Sequence, residues 1–139
     1  MKNKMRKFLM ISAAISVVVA NSLCCFASMR EVIYIYANKA WDEADYHLTT
    51  RTMKYSDVYA RNHAVYPTTG GFDTFSSIWV RVEDGYGMVI SNETQLLESA
   101  TADTSIPINE GYLDKSMIGF AFRGNSNNEA YADVSYDGR

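Results

Sequence analysis

Residues 72–83 constrain this chain more than any other stretch. Phe72, Thr74, Ser76, Ile78, Val80 and Val82 fall on one face of an extended segment; Asp73, Phe75, Ser77, Trp79, Arg81 and Glu83 fall on the other. A period of two with one apolar face specifies a half-buried antiparallel strand, and its β-branched and aromatic residues suit a pleated surface. Asp84 and Gly85 then signal a tight turn, because glycine accepts the positive φ that such a turn demands. Residues 88–91 read as the returning strand. The second face is not plainly polar, since it carries Phe75 and Trp79. Coverage by the chain itself is the ordinary fate of such rings. Contact with a partner is the sharper alternative, and it makes Phe75 and Trp79 the candidate ligand-binding residues.

The same alternation recurs along the chain. Residues 30–37 form a first strand, with Val32, Tyr34 and Tyr36 on one face and Ile33 and Ile35 on the other. Residues 40–48 read either as one or two helical turns or as a loop leading into a strand. Residues 49–60 lean towards β structure, Arg61 and Asn62 are expected to turn the chain, and 63–66 make a short extended piece. Residues 67–71 form a loop by composition. Residues 94–100 are expected to be extended, and 105–108 form an edge strand, because Pro107 lacks a backbone donor. Ile118, Phe120 and Phe122 share one face of a strand over 117–123. Ala130, Ala132, Val134 and Tyr136 share one face of the last strand, 129–136. About seven short strands separated by turn signals predict an all-β fold, a small antiparallel β-sandwich or barrel, with the sandwich preferred.

The N-terminus reads as a destination signal. Lys2, Lys4, Arg6 and Lys7 precede an apolar run over 8–20, and a polar break follows at Asn21 and Ser22. This is the order of a secretory signal peptide, with cleavage expected after Ala27. The expected organisation is a signal helix over 1–27 and one β-sandwich domain over 28–139, secreted to the extracellular space. An uncleaved anchor is the alternative, but Asn21 and Ser22 interrupt the apolar run and no stop-transfer charges follow. Leu23 before Cys24 is a poor lipidation signal. Both cysteines precede the cut, so the mature chain holds no thiol and no disulfide. A small exported domain without disulfides points to a bacterium.

Removing the leader leaves nine Lys and Arg against sixteen Asp and Glu, a formal charge of −7. That balance argues against nucleic acid and against charge-driven adsorption to anionic membranes. The membrane is expected to be met only through the signal segment. Cysteine nucleophiles and cysteine metal sites are ruled out, and no nucleophile elbow, zinc helix motif or phosphate loop is present. His47 and His63, with Asp45 and Asp57 nearby, match no ligand spacing and are expected to be surface imidazoles on loops. Asp42, Glu43 and Asp45 lack the spaced pattern of a calcium loop and are expected to be solvated acids. No cofactor, metal or catalytic residue is assigned. The remaining feature is ten tyrosines spread along the strands, a residue over-used at binding surfaces. Tyr34, Tyr36, Tyr55, Tyr59, Tyr131 and Tyr136 are expected on strands, mostly in the core or half-buried.

Three segments carry a resemblance: 74–80 with its following glycine turn, the 123–128 turn, and the final strand 130–137. They resemble small exported proteins of Gram-positive bacteria, a family of unknown function similar in style to the lactococcin-972-like bacteriocins and often encoded near ABC transporter genes. The resemblance covers the C-terminal half and the leader type. It implies a secreted β-sandwich with an antimicrobial or export-linked role, and it implies no catalytic residues. The expected function is therefore a secreted non-enzymatic β-sandwich protein, bacteriocin-like or export-associated, with a cell-envelope component or a protein as partner. The alternative is an extracellular binding module for carbohydrate or peptide that uses sheet-face aromatics.

Overall fold

The computed structural model describes residues 28–68 and 76–139. The expected signal helix over 1–27, together with Phe72 and Phe75, lies outside the described residues. Eight strands follow in order: β1 (Met29–Ile35), β2 (Leu48–Thr50), β3 (Val58–Pro67), β4 (Ser77–Asp84), β5 (Thr94–Leu97), β6 (Thr104–Ile106), β7 (Met117–Gly124) and β8 (Ala130–Asp137). They build two four-stranded antiparallel sheets, ordered β1-β8-β3-β6 and β2-β7-β4-β5. The sheets pack face to face as a β-sandwich.

The alternating pattern explains the core. Ile33, Ile35, Val58, Ala60, Val65, Ala130, Ala132, Val134 and Tyr136 point inward from the first sheet, and Ile78, Val80, Val82, Leu96, Ile118, Phe120 and Phe122 from the second. Each fully buried Val, Leu, Ile or Phe among them contributes about 1.5–3 kcal/mol. The strand that carries Ile78, Val80 and Val82, β4, lies inside the second sheet between β7 and β5.

Three local expectations are corrected. The segment 49–60 is not one strand: β2 ends at Thr50, and β3 begins only at Val58. Arg61 and Asn62 do not turn the chain. β3 runs through them, and its register against β8 shifts between Asn62 and Ala64, a β-bulge at His63. Bulges add one residue to a strand and reverse its inside-outside phase beyond that point. Among the described residues the strands number eight, against the seven or so expected. Finally, residues 88–91 run beside β4 as isolated contacts only. Glu83 bridges Val89, the Ile90 N–H donates to the Val82 carbonyl at 2.8 Å, and the Val82 N–H donates to Ser91 Oγ at 2.8 Å. The Ser91 hydroxyl replaces a main-chain acceptor there, and the regular ladder resumes with β5.

Between β1 and β2 the chain makes two single 3-10 turns, Ala37–Lys39 and Ala44–His47. Asn38 adopts φ 60°, a left-handed conformation that asparagine tolerates. This segment lies against β7. The Asp42 N–H donates to the Phe122 carbonyl at 3.0 Å, and the Phe122 N–H donates back to Asp42 Oδ1 at 2.5 Å. Its close approach needs Gly119, where a Cβ would stand 2.5 Å from the Ala44 carbonyl oxygen.

Candidate functional site

Trp79 stands on the outer face of the second sheet, half-buried. Its register partner on β7 is Arg123, whose guanidinium carbon lies 5.0 Å from the Trp79 ring centre and 5.0 Å from that of Trp41. Arg81 lies 4.5 Å from the Trp41 ring. The ladder is tethered at both ends: Arg81 Nη2 pairs with Glu83 at 2.6 Å, and Arg123 Nη2 with Glu93 at 2.9 Å. The Trp79 indole N–H donates to Asn125 at 3.3 Å. Cation–π contacts of this kind contribute about 0.5–2 kcal/mol each. One side of Trp79 is thus engaged by the protein's own arginine. Phase places Arg81 and Glu83 on the same face two and four residues on, as the alternation requires. Beside the ladder, a cleft of about 470 Å³ opens between residues 41–45 and the 84–87 turn, with Trp41, Glu43, Asp45 and the 94 % exposed Tyr86 on its walls.

The two histidines depart from expectation. His47 is buried, at 6 % exposure, rather than a surface imidazole. Its Nδ1 lies 2.7 Å from Glu31 Oε1 on β1, and its Nε2 lies 2.9 Å from Asp42 Oδ2. The Tyr136 hydroxyl donates to the same Glu31 oxygen at 2.7 Å. Burial pulls the imidazole pKa down, but the hydrogen bonds and charges of Asp42 and Glu31 outweigh it, and the net shift is upward. Burial and the Glu31 bond both push the Tyr136 phenol up. Asp42 is likewise buried, not solvated; Glu43 and Asp45 are exposed. Because Glu31 and Asp42 sit on opposite nitrogens, the ring joins them as a bridge. This leaves no ring nitrogen free to act as a base. His63 occupies the β3 bulge, with Nε2 2.9 Å from Ser135 Oγ. Burial, then the charges of Arg30 and Arg61, hold its pKa down. Among the described residues, no group of three or more His, Cys, Asp or Glu is placed to hold a metal ion.

Exposed aromatics gather on the opposite face of the molecule. Tyr34 of β1 is the register partner of Tyr131 of β8, and Tyr131 is the register partner of Tyr66 of β3. The three stand abreast on the outer face of the first sheet, since their neighbours Ile33, Ile35, Ala130, Ala132 and Val65 point into the core. Tyr36 extends the row, its ring edge-on to Tyr34 at 5.1 Å; Tyr131 meets Tyr34 edge-on at 5.6 Å. Tyr36, Tyr66 and Tyr131 are 45, 48 and 44 % exposed. The Tyr34 hydroxyl is bonded to Glu129, which with partial desolvation pushes its pKa up to about 12. One step along the face, Arg30 holds Asp133 through two bonds of 3.0 and 2.8 Å, and this keeps the Asp133 carboxyl below its usual range.

No family model matches the chain, and no curated protein and no solved structure matches it. The site therefore rests on its own geometry. Of the two residues singled out in the sequence, Trp79 is accounted for above and Phe75 lies outside the described residues. Tyr34, Tyr36 and Tyr131 were legible as strand tyrosines, but not as one cluster. Tyr66 had no signal as a member, because its face depends on the bulge. Of the other strand tyrosines, Tyr136 is in the core, Tyr59 carries the Arg139 guanidinium 4.6 Å above its ring, and Tyr55 lies in the loop between β2 and β3.

Proposed function

We propose that this chain is an exported, non-catalytic β-sandwich that binds a cell-envelope or other extracellular component through the outer face of the β1-β8-β3 sheet. The observation that carries the reading is the row Tyr36, Tyr34, Tyr131 and Tyr66. Tyrosine joins an apolar ring to a polar tip, which makes it effective at surfaces that are wet when free and covered when bound. Four such rings on one sheet face exceed the scattered single aromatics of ordinary surfaces. The reading is further supported by His47, the most buried imidazole, whose nitrogens are both engaged by carboxylates. The leader-like N-terminus and the mature charge of −7 fit an exported protein that does not adsorb to membranes by charge.

The test is co-sedimentation of the purified chain with washed cell-wall material, compared with Tyr131→Ala and Tyr66→Ala. Both substitutions remove half-exposed side chains, so the fold is expected to survive them. Sedimentation by the wild-type chain that both variants lose supports the reading. Absence of binding, or equal binding by all three proteins, defeats it. The bacteriocin-like form of the function adds one expectation: the purified chain inhibits growth of a related strain, and the same tyrosine variants lose that effect.

A further inference from the structure

We infer that the tyrosine row takes an uncharged carbohydrate chain lying across β1, β8 and β3, an assignment that rests on the proposed binding role of this face. Three observations converge on it. Tyr34, Tyr131 and Tyr66 are direct register partners, so they follow one another across three adjacent strands. Adjacent strands are ~4.8 Å apart, so the three Cα positions span about 10 Å, a length suited to neighbouring sugar rings rather than to one small ligand in a pocket.

The ring arrangement also fits. Tyr34 stands at 84° to Tyr36 and 71° to Tyr131, so the row offers ring faces and ring edges in turn. A pyranose has one apolar face of axial C–H groups and a rim of hydroxyls. The C–H face packs on an aromatic face, and the hydroxyl rim meets the phenol groups, which both donate and accept.

The cation bordering the row is already paired. Arg30 and Asp133 neutralise each other through two bonds, and Glu129 accepts from the Tyr34 hydroxyl. An anionic ligand would find no free cation there among the described residues and would meet the charge that Glu129 keeps, whereas a neutral polyol needs no counter-charge. A peptide strand is a poor match for a different reason. Its affinity comes from main-chain bonds to a sheet edge, so it would add beside β1, the outer strand of this sheet, rather than lie across the tyrosine faces.

The test is titration of the purified chain with fully N-acetylated chitohexaose and with cellohexaose by calorimetry, alongside an anionic oligogalacturonate, using wild type, Tyr131→Ala, Tyr131→Phe and Tyr66→Ala. Thermal melts confirm that each variant is folded. The expected result is saturable binding of at least one neutral hexaose and none of the anionic one. Tyr131→Ala and Tyr66→Ala weaken it tenfold or more, and Tyr131→Phe, which keeps the ring, weakens it less. If the chain sediments with cell walls in a tyrosine-dependent way but binds neither hexaose, or binds the anionic chain instead, the ligand class is wrong while the binding face stands. If it neither sediments nor binds, both fall. Concentration-dependent self-association that Tyr131→Ala abolishes would assign the face to a second copy of this chain and overturn the carbohydrate.

Discussion

Tyr66 and Tyr131 are direct register partners across β3 and β8, and the bulge at His63 makes them so. Before the bulge the even-numbered residues Val58, Ala60 and Asn62 point inward; after it the odd-numbered Val65 does. If all these residues ran in a regular ladder with no bulge, Tyr66 would continue the even phase and enter the core. Deleting His63 removes the extra residue and leaves Asn62, Ala64, Val65 and Tyr66 opposite Val134, Asp133, Ala132 and Tyr131 in a regular ladder, so Val65 is expected to stay buried and the variant to lose about 0.5–1.5 kcal/mol with the His63–Ser135 bond. Urea unfolding of the deletion variant checks this. A loss of several kcal/mol would show that residue 63 is not the extra residue and that the phase is set elsewhere.

Gly119 sets a second phase-independent constraint. Its missing Cβ lets the Ala44 carbonyl close on β7. Gly119→Ala is expected to destabilise the fold by about 1–3 kcal/mol and to lift the 41–47 segment, including Trp41. A melt together with a change in tryptophan emission reads both effects. An unchanged Tm and spectrum would mean that the segment does not depend on this approach.

The His47 bridge predicts a pH dependence. The folded pKa lies above the ordinary 6.5, so protonated His47 stabilises the fold fully below that value. The contribution fades as pH rises through the higher folded pKa, because a neutral imidazole cannot donate to both Glu31 and Asp42. Tm measured from pH 5.5 to 9 should fall on the alkaline side, and His47→Gln should flatten that fall. Removing the ring in His47→Ala leaves buried Asp42 without its cation and is expected to cost about 2–3 kcal/mol at pH 6. Because His63, with its pKa held down, adds stability as pH rises towards 6.5, the deciding range is above pH 7, where a wild-type Tm that rises with pH would contradict the bridge.

Arg123 supports both tryptophans at once. Arg123→Met keeps the aliphatic stem but removes the guanidinium, and should cost about 0.5–2 kcal/mol. Because Trp79 and Trp41 both lose a cation, iodide quenching of tryptophan fluorescence should increase. Unaltered quenching would show that the arginine does not cover the rings.

Much of the fold was legible in the sequence, because side chains alternate across a strand whatever lies beyond it. Ile118, Phe120 and Phe122, and Ala130, Ala132, Val134 and Tyr136, point to the core as their spacing required, and Trp79, Arg81 and Glu83 share the outer face of β4. The candidate binding face was legible only in part. Tyr34 and Tyr131 could be placed on strands, but their adjacency depends on β8 inserting between β1 and β3, a pairing between segments about a hundred residues apart. His47 and Asp42 were misread for the same reason: their partners Glu31, Phe122 and Tyr136 come from three different strands. Tyr66 depended on a one-residue bulge that no local pattern announces. Strand identity and inward faces follow from a period of two, which is local. Strand order, bulges and the company a polar side chain keeps are decided when two sheets close over a shared core, and the tyrosine row exists only there.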